Sequence, residues 1–88
     1  MTTRPLTILY FAWLRERTGL SEEKVSPPAS IRTVADLITW LSARSPGHAA
    51  ALAHMKTVRC AVNQDFASPD TSLKAGDEIA FFPPVTGG

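Results

Sequence analysis

The segment 33-TVADLITWLSAR-44 constrains the fold most, because it carries the clearest helical repeat in the chain. Thr33 can cap its first turn, and Asp36, three residues later, completes a variant of the capping box at the positive end of the helix dipole. The run 45-SPG-47 is predicted to end this helix. Its apolar residues recur at the i, i+3, i+4, i+7 spacing of an amphipathic helix: Val34, Leu37, Ile38 and Leu41.

Strand-like segments precede the helix. Residues 6-LTILYFA-12 are rich in strand-forming residues and carry apolar groups on both faces, which predicts a central strand. The stretch 12-AWLRERTG-19 predicts a short helix stopped by Gly19, and 21-SEEKVS-26 predicts a second strand or an edge. In the first strand, one face comprises Leu6, Ile8, Tyr10 and Ala12, and the other comprises Leu9 and Phe11.

A second helical stretch and further strands follow the main helix. The alanines of 48-HAAALAHMK-56 favour a second helical stretch, and 58-VRCAVN-63 alternates as a strand that leads through a turn to a brief strand at Phe66. Gly76 suits a tight turn with positive φ, and 78-EIAFF-82 is predicted to be the last strand. The order of elements predicts an α+β domain, in which one main helix covers one face of a mixed sheet.

Composition limits what the domain can do. The chain has 88 residues, 44% hydrophobic and 19% charged, which predicts one folded domain spanning residues 1–88. The chain has nine basic and eight acidic residues, and the basic residues are scattered along it. Neither nucleic acid nor an anionic membrane is therefore expected as a main partner.

The lack of signal-peptide features and the use of cysteine predict a cytoplasmic protein. The start lacks a signal peptide's features, and no apolar run approaches the roughly 20 residues of a membrane-spanning helix. A single cysteine, Cys60, excludes a disulfide framework and a four-thiolate metal site. Since Cys60 shares a strand face with Val58 and Val62, we interpret it as a small buried hydrophobe rather than a persulfide carrier.

The remaining candidate side chains point to no active site in this chain. His48 and His54 are six residues apart, off the i, i+4 spacing of a helical metal pair, so both are predicted to be surface residues without a bound metal. Trp13 and Trp40 are predicted to pack in or beside the core. No nucleophile elbow or catalytic triad is indicated.

The ending 81-FFPPVTGG-88 is the strongest functional signal. Pro83 and Pro84 remove two backbone donors, so the strand cannot easily continue, and residues 83–88 could then extend by about 20 Å. Two final glycines could thread a narrow channel and offer an unhindered carboxyl group for activation. A disordered end would explain the glycines equally simply, but the stiff diproline favours a tail that projects into a partner.

Three motifs carry a resemblance to a known family: 76-GDEIAFFPPVTGG-88, 61-AVNQ-64 and 9-LYFAWLRERTG-19. Together they resemble the small subunit of molybdopterin synthase, a ubiquitin-like sulfur carrier of molybdenum cofactor synthesis. The resemblance covers nearly the whole chain, although residues 27–57 agree only in helical pattern and length. It implies the β-grasp fold, with about five strands and one main helix.

The resemblance also implies a chemistry for the tail. An ATP-dependent enzyme would adenylate Gly88, and a sulfur donor would convert it to a thiocarboxylate. The tail would then enter the large subunit of a heterotetramer, where its sulfur attacks cyclic pyranopterin monophosphate to build the molybdopterin dithiolene. This chain would itself be non-catalytic and bind no cofactor. The residues that would thread into the partner are Pro83, Pro84, Val85, Thr86 and Gly87.

Four residues match the family's partner-binding surface: Phe11, Phe66, Phe82 and Arg15. Alternation already places Phe11 and Phe82 away from the core, and exposed aromatics are costly unless a partner covers them. The alternative is that one or more of the three rings pack in the core. Phe66 stands where an aliphatic residue is more usual in the family. Arg15 fits an ion pair, in the domain or at the interface, and a solvated helix face equally well.

Other functions remain open. A sulfur carrier for thiazole or for a thiolated tRNA base would share the fold and the Gly-Gly end, as would a ubiquitin-like modifier that forms isopeptide bonds. A β-grasp interaction module with an inert tail is a further alternative. Only the FFPPVT approach to the glycines favours the molybdopterin carrier over these.

Overall fold

The computed structural model describes residues 5–53 and 58–84. Among these residues, no helix is long and apolar enough to cross a membrane. The strands are β1 (Leu6–Tyr10), β2 (Glu22–Val25), β3 (Arg59–Val62), β4 (Asp65–Phe66) and β5 (Glu78–Phe82). The helices are α1 (Trp13–Thr18), α2 (Val34–Ser42) and α3 (Pro46–Leu52).

The five strands form one mixed sheet in the order β2-β1-β5-β3-β4. The pair β1–β5 is parallel, and β1–β2, β3–β5 and β3–β4 are antiparallel. Apolar residues of the helices pack with the strands in a single core cluster. A mixed sheet of this order with helices on one face is the β-grasp fold, so the predicted α+β class is confirmed.

The core forms where β1 and β5 lie side by side. Ile8 pairs with Ile79 and Tyr10 pairs with Phe81, and all four are at most 1% exposed. The alternation predicted for both strands is therefore confirmed, except at Ala12. The strand ends at Tyr10, and Ala12 has a φ of 54° and is exposed, because the backbone turns there to begin α1.

The caps of the helices follow the sequence closely. At the start of α2, the Thr33 hydroxyl accepts a hydrogen bond from the Asp36 backbone N–H at 3.2 Å, and the Asp36 carboxylate accepts one from the Thr33 N–H. These bonds form the predicted capping box, which satisfies two of the four N–H groups that a helix start leaves without partners. Gly19 ends α1 in the left-handed conformation, as predicted.

The run 45-SPG-47 has a different role from the one predicted. Helix α2 already ends at Ser42, and Ser45 caps α3, which Pro46 begins. Proline suits the first position of a helix, because a backbone N–H there would have no partner within the helix and proline has no N–H to leave unpaired. A Cβ atom on Gly47 would overlap the backbone oxygen of Arg17, so glycine permits the close packing of α1 against α3.

The hairpin β3–β4 is confirmed, and its turn is tied to the next strand. Asn63 and Gln64 both have positive φ, the geometry that two-residue hairpin turns favour. The Asn63 amide donates to the Asp77 carboxylate at 2.9 Å, and the Glu78 N–H donates to the Asn63 amide oxygen at 3.0 Å. Residues of the AVNQ and GDE motifs thus hold each other in place.

Smaller packing predictions are also confirmed. Cys60 is buried, and burial raises the pKa of its thiol to about 11, so the thiol stays protonated at neutral pH. Trp13 and Trp40 are half-buried against the core. An arginine lies over each indole: Arg17 of the same helix is 4.6 Å from the ring centre of Trp13, and Arg44, just past the end of α2, is 4.8 Å from that of Trp40.

The prediction of a surface histidine is wrong for His48, while His54 lies outside the described residues. His48 is only 6% exposed, and its Nε2 lies 2.7 Å from the carboxylate of Glu23 on β2. Its Nδ1 lies 2.7 Å from the hydroxyl of Ser45. The acidic partner is distant in sequence, because the packing of α3 over the sheet brings it to the histidine.

Glu23 is the centre of this polar cluster. It also accepts a hydrogen bond of 2.7 Å from the Tyr10 hydroxyl, and Arg44 lies 3.9 Å away. Burial acts to raise the pKa of Glu23, but hydrogen bonds from His48 and Tyr10 and the nearby charges outweigh it and lower the pKa below its ordinary 4.5. The cluster therefore favours an ionised Glu23.

We expect Glu23→Gln to lower the free energy of unfolding at neutral pH by about 1–3 kcal/mol, the cost of disturbing a buried polar network. Because the folded-state pKa of Glu23 lies below its unfolded-state value, its contribution is present above about pH 4.5 and is lost as the pH falls through the folded-state pKa. Urea titrations between about pH 3 and pH 7 measure both the loss of stability and its dependence on pH.

The matched control is Glu22→Gln, which removes the same charge from an exposed position of the same strand. Its effect should stay within about 0.5 kcal/mol. Equal losses in the two variants would contradict a specific role for the buried cluster.

Candidate functional site

The outer face of the sheet is the side turned away from the helices. Along β5 the core residues alternate with half-buried Ala80 and Phe82. Ala80 pairs with Ala61 on β3, which in turn pairs with Phe66 on β4. Because cross-strand partners share a face, these residues form one continuous apolar row on the outer side of the sheet.

Two of the predicted surface aromatics lie together on this face. The rings of Phe66 and Phe82 are tilted by 54°, with centroids 6.0 Å apart, and Phe66 is 82% exposed. Phe11 is 47% exposed, and its N–H donates to the oxygen of Phe81, so it lies beside the end of β5. We call these three residues, Phe11, Phe66 and Phe82, the aromatic patch.

The tail begins next to the aromatic patch. Pro83 and Pro84 follow β5 directly and are half-buried, and neither carries a backbone N–H that could extend the sheet. The remaining predicted tail residues, 85–88, lie outside the described residues. The structure therefore places the root of the tail at the apolar end of the outer face.

Arg15 lies on α1 and is exposed. The ion pairs within the described residues join Glu23 to Arg44 and to His48, and Arg15 takes part in neither. This observation favours the solvated helix face over an ion pair within the domain. Its predicted contact with a partner stays a prediction.

The chemistry of this surface is that of a docking site. Exposed aromatic side chains bind apolar partner surfaces with large area and little loss of conformational entropy. Within the described ranges, no group of three or more His, Cys, Asp or Glu side chains could hold a metal ion.

Sequence reasoning missed two features of the site. Arg59 pairs with Phe82 and is exposed at the root of the tail, a position that alternation from buried Cys60 would have indicated. The contact of Asn63 with Asp77 fixes the end of β3 to the start of β5. It joins residues 14 positions apart, and no local pattern indicates such a pair.

The fold and this surface define the class as ubiquitin-like β-grasp domains with an exposed apolar face beside a C-terminal tail. The chain belongs to the ThiS family, whose model matches residues 8–88. It is 43% identical to the molybdopterin synthase sulfur carrier subunit of Escherichia coli over 94% of this chain and 99% of that protein.

Solved structures agree with this assignment. SAMP1 from Haloferax volcanii superposes with a TM-score of 0.75 at 28% identity, covering 96% of this chain and 99% of that one. A chain of the BexX/CysO complex of Amycolatopsis orientalis gives a TM-score of 0.66 at 25% identity, covering 94% and 99%.

Proposed function

We propose that this chain is the sulfur carrier subunit of a molybdopterin synthase, with Gly88 as the residue that carries the sulfur. The single observation that supports it most is the aromatic patch at the root of a Pro-Pro-Val-Thr-Gly-Gly tail. The 43% identity to a carrier subunit of this name over nearly the full length supports the same conclusion.

The proposed chemistry uses the carboxyl group of Gly88 in four steps. A partner enzyme transfers AMP from ATP to this carboxylate and releases pyrophosphate. Sulfide from a sulfur donor then attacks the acyl carbon and displaces AMP, which leaves a thiocarboxylate. In the synthase, the sulfur attacks cyclic pyranopterin monophosphate, and water finally replaces it on the acyl carbon, so that Gly88 returns as a carboxylate for another cycle.

The domain contributes positioning rather than catalysis. Phe81 and Ile79 are fully buried and fix β5 in the core, so the point where the tail begins is rigidly held. The two prolines that follow have fixed φ, which lowers the entropy lost when the tail enters a pocket. The aromatic patch would then hold the domain against the protein that receives the tail, and Arg15 is a further proposed contact.

This proposal implies three partners: the synthase large subunit in a heterotetramer, an ATP-dependent adenylating enzyme and a sulfur donor. Complex formation by a structural relative supports partner binding. The cytoplasm, where ATP is present and thiols stay reduced, is the proposed location.

Intact-mass spectrometry tests the proposal directly. After incubation with ATP, the adenylating enzyme and a sulfur donor, the mass should rise by the difference between sulfur and oxygen, and the gain should map to the peptide that contains Gly88. A chain lacking Gly88 is the matched control and should gain nothing. An unchanged mass under conditions that charge a known carrier would falsify the proposal.

A second candidate is a ubiquitin-like modifier. The superposition on SAMP1, whose full name is small archaeal modifier protein 1, favours this candidate. In that role the activated Gly88 carboxyl would form an isopeptide bond with a lysine amine of a target. Finding the tail linked to lysines in extracts of the source cells would support this candidate. A carrier for thiazole or thiolated tRNA would instead show sulfur on Gly88 that never reaches a pterin.

A further inference from the structure

Arg59 lies at the root of the tail on the outer face. It is the first residue of β3 and pairs with Phe82, the last residue of β5. The next pair along, Cys60 and Phe81, is buried in the core. Because successive side chains of a strand point to opposite faces, Arg59 and Phe82 both project from the outer face. A cation thus stands beside the residue from which the tail departs.

The surroundings of Arg59 are apolar. The next outward pair on the same two strands is Ala61 and Ala80, and Phe66 follows on β4. The centroids of the Phe66 and Phe82 rings lie 6.0 Å apart. Arg59 therefore borders the part of the surface that is best suited to be covered by another protein.

No described carboxylate pairs with Arg59. The ion pairs of the described residues join Glu23 to Arg44 and to His48, which lie on the opposite, helix-covered side of the sheet. A partner that covers the aromatic patch would remove water from the guanidinium. Removing water from a charge is costly unless an opposite charge replaces the lost hydrogen bonds.

We propose that Arg59 forms an ion pair with a carboxylate of the synthase large subunit and so determines which large subunit this carrier accepts. The inference rests on the proposed function, since the large subunit is the protein that takes up the tail. A pocket that receives residues 83–88 must bring its rim over the point where the tail leaves β5, and Arg59 lies at that point.

Arginine is well suited to this contact. Its planar guanidinium can donate two parallel hydrogen bonds to a carboxylate, which fixes orientation as well as attraction. The pair would hold the carrier in the rotation that aims the tail at its pocket. A large subunit with a neutral or basic residue opposite Arg59 would leave the cation covered and unpaired, and would be rejected.

Binding of the full-length chain to its own large subunit, measured at two ionic strengths, tests the proposal. The variant Arg59→Glu should weaken binding by about 30-fold or more, and Arg59→Gln by less, because reversal adds repulsion to the loss of the pair. The association rate of the wild type should fall as salt is added, and that of Arg59→Glu should not.

Lys24→Glu is the matched control. It makes the same charge change at another exposed position, on edge strand β2, with strands β1 and β5 between it and β3. Its effect on binding should stay within about threefold. Equal effects of the two reversals would show that only net charge matters and would overturn the proposal. So would binding of Arg59→Glu as tight as the wild type's.

A charge swap identifies the partner residue. Acidic residues of the large subunit are changed to lysine one at a time, and one of them should restore the binding of Arg59→Glu while weakening that of the wild type. Failure of every swap would overturn the ion pair. The two proposals fail separately: a wild type that never acquires sulfur refutes the carrier function, whereas a working carrier indifferent to Arg59→Glu refutes only this inference.

Discussion

Adding one alanine after Gly88 should reduce sulfur transfer at least 100-fold while leaving the stability of the domain unchanged. An extended residue moves the chain end by about 3.3 Å, whereas a misplacement of about 1 Å can already cost 100-fold in rate. The added residue also replaces glycine with a bulkier acyl group at the reacting carbon. Single-turnover formation of the sulfurated pterin measures the effect.

The same alanine placed before Met1 is the control for this extension. It changes the mass and length of the chain equally but leaves the tail intact, so transfer should match that of the wild type. Thermal unfolding of both variants should coincide with the wild type's, because neither change touches the core. Full transfer by the C-terminal extension would refute the role of Gly88.

Phe81→Ala should destabilise the domain by about 3–5 kcal/mol, the usual cost of removing a buried aromatic side chain. Phe81 is fully buried at the centre of the sheet, where it stacks on Tyr10 with ring centroids 6.1 Å apart. A small domain has about 5–15 kcal/mol to lose, so the variant should approach the limit of folding. Urea unfolding monitored by circular dichroism measures the loss.

Its neighbour Phe82 supplies the matched control and the opposite result. Phe82→Ala removes a half-buried ring from the outer face, so its cost in stability should be about 1 kcal/mol or less. Binding to the large subunit should instead weaken by about 30-fold, since aromatic residues at the centre of an interface carry much of its energy. Similar stability losses in both variants would contradict the assigned faces of β5.

The sequence predicted the parts of the fold that depend on local patterns. The alternation of β5, the capping box of α2 and the positive φ of Gly76 each follow from residues within a few positions of one another. The run 45-SPG-47 was assigned to the wrong side of a boundary. Serine, proline and glycine suit a helix start as well as a helix end, and only the packing of α3 against α1 distinguishes the two.

The buried state of His48 could not be predicted from its neighbours. Its partner Glu23 lies 25 positions away, and each residue alone is typical of a protein surface. The outward position of Phe82 could be predicted because strand alternation fixes faces, whereas that of Phe66 followed only from the family resemblance. Their contact across β3 required knowledge of the strand order, which places β3 between β5 and β4.

The place of β5 in the sheet has a mechanical consequence. The strand lies between parallel β1 and antiparallel β3, and hydrogen bonds on both edges run across its axis. A pull on the tail along that axis loads these bonds together in shear, whereas a pull across it would open them one by one. A partner that draws the tail into its own pocket can therefore apply tension without unfolding the domain, because β5 resists a pull along its axis.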